Sequence, residues 1–280
     1  MVLISVAAYS LTVLFDYGEH LFAGSTATKL IVIIKAATKP SFKLDPSNFM
    51  CGRLALHTIP SHFADLFSKL NFSAARFGYN ICPTQRLLAL RNSANDSNLE
   101  LANLRWGLIP AWAKDINVGS RMINARCETV AQKPSFRAAF KSRRCVILAN
   151  GFFEWKKASS HKQPYYIHRT DEQLMYFAGL WESWQSPANE TIQTATILTT
   201  QANQLLSPLH DRMPVMLHEN SLENWLQPTA DSNPASLFQP WPVKDLQLHA
   251  VSTAMNRPDY DQPACIDPAE IAHDIQGELF

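Results

Sequence analysis

No lysine or arginine precedes Lys29 in this 280-residue sequence. The positively charged start of a secretory signal is therefore missing, although the opening "MVLISVAAYSLTVLF" is apolar. That run breaks at Asp16, short of the roughly 20 apolar residues a membrane span needs. A second apolar patch, "LIVIIK", ends at Lys35 and gives way to the loop-like "TKPSFKLDPSN". Any C-x-x-C pair is also absent. The five cysteines, Cys51, Cys82, Cys127, Cys145 and Cys265, are odd in number and indicate neither a disulfide framework nor a zinc knuckle. His57 and His62 lack metal-site spacing. No metal and no cofactor is expected, and a reducing compartment fits, so the expected location is cytoplasmic, or at the nucleoid in a bacterium. With no low-complexity tract and no repeat from Cys51 onward, residues 51–280 read as one domain. Residues 1–50 read as an extension that is removed or was included through a wrong start; an atypical export signal and a genuine extra segment are the alternatives.

What is present is an ordinary globular composition, 46% hydrophobic, with a formal net charge of +1. The charge is uneven: from Arg121 to Lys162 lysine and arginine recur, opposed only by Glu128 and Glu154. Such a basic stripe suits either a solvated face or a polyanion. "PSHFADLFSKL" spaces Phe63, Leu66, Phe67 and Leu70 for a short helix. "PSFRAAFKS" and "SLENWLQP" give two more. "RCVILANGFFEWKK" reads as a buried strand turning at Asn150-Gly151 into another, and "PYYIHRT", "LMYFAGLWESW", "TATILTT" and "LHAVSTA" follow as strands. Strands in succession without regular intervening helices indicate an α+β fold, its mixed or antiparallel sheets curled into a barrel-like core with short peripheral helices.

Four polar stretches stand out: "MCGR" at 50–53, "MINARCET" at 122–129, "GFFEWKK" at 151–157 and "LHDRMPVML" at 209–217. Each alone is weak, since a glutamate in an alternating strand usually faces solvent and His210-Asp211-Arg212 reads as a loop with a local ion pair. In this order, and with "YNICPTQ" at 79–85, "RWGLIPAWAKD" at 105–115 and "AVSTAMN" at 250–256, they resemble the SOS response-associated peptidase (SRAP) family of abasic-site-processing proteins. The likeness runs from Cys51 to about Ile266.

The resemblance implies that Met50 is an initiator and that Cys51 becomes a free N-terminus bearing amine and thiol on neighbouring carbons. Reference pKa values of about 8 for an α-amine and about 8.5 for a thiol leave both partly nucleophilic near neutrality. Together they would convert the aldehyde of an abasic site, in single-stranded DNA, into a thiazolidine crosslink. Glu154 is then the expected general acid and base, Asn124 orients the amine or the sugar, and His210 shuttles protons, with lyase and self-processing activity as further implications. Arg53, Arg126 and Arg212 are expected to clamp phosphates, with Lys133 and Arg137 of the basic stripe beside them. Trp106 and Trp112 are expected to stack on bases, unless one of them fills the core. The expected partner is single-stranded DNA carrying abasic sites; no membrane partner is expected, and the protein is expected to be monomeric. The alternatives are a cysteine peptidase pairing Cys51 with His210, in which Asn124 orients the histidine, and a DNA-binding module without chemistry.

Overall fold

A computed structural model describes residues 2–6, 9–13, 32–33, 51–59, 77–93, 99–157, 162–227 and 234–269. The helix expected at "PSHFADLFSKL", together with His62 and Met50, lies outside these residues. The chain divides into two compact units, Met1–Leu44 and Asp45–Phe280. In the first, β1 (Val2–Val6), β2 (Tyr9–Val13) and β3 (Val32–Ile33) form an antiparallel sheet in that order.

The second unit is built on two sheets. One contains β6 (Arg86–Asn92), β7 (Leu99–Trp106), β9 (Arg144–Ala149), β12 (Met175–Gln185) and β13 (Thr191–Gln201) in the order β12-β9-β6-β7-β13, and β13 returns to β12 to close a barrel. Closure leaves none of these five strands as an open edge. Two short strands, β8 (Asn124–Arg126) and β14 (Arg212–Pro214), attach to β13. The other sheet has the order β15-β11-β10-β4-β5, from β4 (Leu54–Leu56), β5 (Gly78–Ile81), β10 (Gly151–Lys157), β11 (Lys162–Arg169) and β15 (Leu246–Ala250). Pairing is antiparallel except where β13 runs parallel to β7 and β8. Among the described residues, two short helices, α1 (Arg137–Ser142) and α2 (Leu222–Leu226), accompany the sheets of this α+β barrel fold.

Sequence pattern and burial agree strand by strand. In β7, Ala102, Leu104 and Trp106 turn inward while Leu101, Asn103 and Arg105 are half-buried. β9 is buried at every position, which accounts for its unbroken apolar run. The turn at Asn150-Gly151 is present but is no hairpin: β9 pairs with β6 and β12, whereas β10 pairs with β4 and β11. It hands the chain from barrel to second sheet. A Cβ at Gly151 would lie 2.4 Å from the Tyr166 ring, so only glycine fits the crossing. Asn150 anchors it by accepting the His57 and Thr58 N–H groups at 2.7 and 3.0 Å.

Candidate active site

β10 carries Glu154 into the interior between Phe153 and Trp155, leaving it 3% exposed. Its Oε1 accepts the backbone N–H of Cys51 at 2.6 Å. Burial pushes this carboxyl up to about 8, against the backbone N–H bonds of Cys51 and Trp155, which favour the charged form, and with a further upward push from Asp211. The Cys51 thiol is enclosed as well, and burial, then the Glu154 charge, raise it well above its ordinary value. Cys51 also has a φ of 47°, in the left-handed region where a side chain crowds the backbone.

Arg53 holds this turn in place. Its Nη1 donates to Asn80 Oδ1 at 2.9 Å and to the Met255 carbonyl at 3.0 Å, and its Nη2 to the Asn256 carbonyl at 3.2 Å. Asn80 in turn donates to the carbonyls of Met255, Arg257 and Tyr260, while Asp261 accepts the Tyr79 and Asn80 N–H groups. Asn256 takes the Trp155 indole N–H at 2.7 Å, beside Glu154. At 3% exposure, with both Nη groups bonded to protein acceptors and Nε buried, Arg53 is not placed to clamp a phosphate; that expectation is corrected to a structural one. Asn80, Asn256 and Asp261 went unassigned in the sequence. The signal was present for the first two, inside "YNICPTQ" and "AVSTAMN".

The remaining expected residues divide between surface and interior. Asn124 opens β8 opposite Ile197, and Arg126 stands exposed opposite Thr199. His210 follows β13; its Nδ1 lies 2.8 Å from Asp211 Oδ1 and 3.0 Å from the Arg212 backbone nitrogen. The neutral ring can accept the amide proton there, and the charged ring can donate to the carboxylate, so both protonation states find a partner. Because the Asp211 charge reaches Glu154, the 210–212 loop belongs to the same electrostatic neighbourhood as Cys51. Arg212 grips Glu128 through two bonds of 2.7 and 2.8 Å and donates to the Thr199 carbonyl at 2.6 Å. Trp112 is 64% exposed, whereas Trp106 is fully buried and gives its indole N–H to the Ile123 carbonyl. Stacking on a base is thus open to Trp112 and closed to Trp106, a core residue. Lys133 and Arg137 are exposed. Arg144, in the same basic stripe, is buried between Phe140 and Trp225.

Residues 50–258 match the family described as SOS response associated peptidase (SRAP). The chain belongs to the SRAP family. It is 40% identical over 227 residues to the abasic site processing protein YoqW of Bacillus subtilis (strain 168), the alignment covering 78% of this chain and 99% of that protein. To the abasic site processing protein HMCES of Xenopus tropicalis it is 33% identical over 221 residues, covering 67% of this chain and 65% of the relative. A crystal structure of a protein from Bacteroides thetaiotaomicron superimposes with a TM-score of 0.68 at 26% identity, over 79% of this chain and 100% of the other. The SRAP match takes in the Cys51 turn, the Glu154 strand and the 210–212 loop together.

Proposed function

We propose that this SRAP protein processes abasic sites in single-stranded DNA by covalent capture through Cys51. The observation that carries the proposal is the 2.6 Å contact of the Cys51 nitrogen with a buried, high-pKa carboxyl. Two further observations support it: the family match begins at residue 50, and the relatives above bear abasic-site-processing names. In a chain that begins at Cys51 this nitrogen is a primary amine. The left-handed φ then no longer exists, and a strain of about 1–2 kcal/mol disappears with it.

The chemistry follows from the groups present. The amine adds to the C1′ aldehyde of the ring-opened sugar to give a carbinolamine. Protonated Glu154 gives its proton to the departing hydroxyl, releasing water and leaving an iminium whose nitrogen keeps its hydrogen. The thiol adds to the iminium carbon, its proton returns to the Glu154 carboxylate, and a five-membered thiazolidine closes. The buried thiol is held protonated, so the amine acts first. His210, with partners for both of its protonation states, moves protons in reversal or in strand-cleaving elimination.

A chain beginning at Met50, with that methionine removed, is expected to form an adduct with abasic single-stranded DNA that survives denaturation. Cys51→Ala abolishes the adduct, and Cys51→Ser leaves an imine trapped only by borohydride. A chain shown by intact mass to retain residues 1–50 forms none, because its Cys51 nitrogen is an amide. Efficient crosslinking by that intact chain would falsify the amine mechanism; peptide-bond cleavage by it would favour the Cys51–His210 peptidase.

A further inference from the structure

Arg86 and Arg105 face each other directly across β6 and β7. Two like charges at opposed positions destabilise a sheet unless a counter-charge lies with them. Other arginines have one: Arg91 pairs with Glu100, Arg143 with Glu182, Arg169 with Asp171 and Arg212 with Glu128. Among the described residues no carboxylate forms an ion pair with Arg86 or Arg105. Arg86 spends one donor on the Asn103 carbonyl at 3.1 Å, and Arg105 Nη1 is buried with no hydrogen-bond partner. The cover over Arg105 is backbone: a Cβ added at Gly119 would stand 3.2 Å from Nη1. Burial first, and the Arg86 charge second, push the Arg105 guanidinium below its ordinary value, as befits a cation without a counter-ion.

The pair borders the site already described. Arg86 follows the turn at 82–85 that leads out of the Arg53–Asn80 network, and Arg105 precedes Trp106, whose carbonyl accepts the Thr84 N–H and whose indole bonds Ile123, next to Asn124. The loop that covers Arg105 also carries the exposed Trp112. Guanidinium donors from opposed positions on neighbouring strands suit the oxygens of a phosphodiester.

We propose that Arg86 and Arg105 form a phosphate-binding subsite for the DNA strand leading away from Cys51. The identity of the strand rests on the function proposed above; the anion site rests on the unmatched pair alone. The test compares Arg86→Gln and Arg105→Gln with Lys244→Gln, which removes an equal charge at an exposed position on the turn before β15. Binding of an undamaged single-stranded oligonucleotide is measured against salt. Each arginine variant is expected to flatten the log–log slope by roughly 0.7, and the lysine variant to leave it unchanged. In phosphate-free buffer Arg86→Gln should melt no lower than wild type, because a repulsion is relieved, and it should lose the stabilisation that inorganic phosphate gives wild type. Undamaged DNA forms no adduct, so failure of the capture chemistry would not disturb these readouts. Wild-type slopes in Arg86→Gln, or an equal loss in Lys244→Gln, would overturn the subsite; Arg86 is exposed, so this arm holds even where Arg105→Gln fails to fold.

Discussion

At neutral pH Glu154 is a neutral acid, because burial outweighs the two N–H bonds that favour its carboxylate. In the unfolded chain it titrates near 4.3, so the native state binds the extra proton and stability is greatest below that value, declining as pH rises toward about 8. Glu154→Gln keeps the shape but never ionises. It should therefore melt higher than wild type at pH 8.5 and match it at pH 4, the gap opening between those limits in a thermal scan. The same substitution should slow adduct formation by about 10²-fold, the scale of a lost general acid, with affinity for undamaged DNA little changed. Its place in the site was legible through the resemblance, whereas strand alternation alone would have turned it to solvent. The role of Arg53 was not legible: an arginine clamped by carbonyls 202 and 203 positions away looks, in sequence, like one waiting for a phosphate.

Among the elements, the 107–122 loop crosses itself backbone on backbone. Gly107 has a φ of 113°, and a Cβ there would lie 2.4 Å from the Gly119 carbonyl oxygen. Gly107→Ala must both strain the backbone and push the two segments apart, and is expected to cost about 2–4 kcal/mol in denaturant unfolding. "RWGLIPAW" identified this segment by resemblance, but nothing in its residues foretold a backbone-on-backbone contact. The aromatic and β-branched strands β10 to β13 were readable because their composition admits little else. β6 and β7 were missed: "RLLALRN" and "LELANLR" are rich in leucine and alanine, good helix formers, and only barrel closure makes them strands. Both short helices, α1 and α2, stand where their apolar spacing put them.

For the molecule as a whole, the chain divides into two compact units, and removal of the first is expected to leave the second folded. A chain beginning at Met50 is expected to melt within about 3 °C of the full chain, under about 1 kcal/mol for a domain of this size, as calorimetry can check. The network around Arg53 adds a constraint in time. Its acceptors Met255 and Asn256 lie 202 and 203 positions downstream. At ordinary synthesis rates of about 5–20 residues per second, Cys51 is made about 10–40 s before the segment that fastens its turn. Throughout that interval the nascent chain carries Cys51 without the network that fastens its turn. For the capture chemistry proposed above, the consequence is that the geometry aiming Cys51 is expected only in chains already synthesised past residue 256.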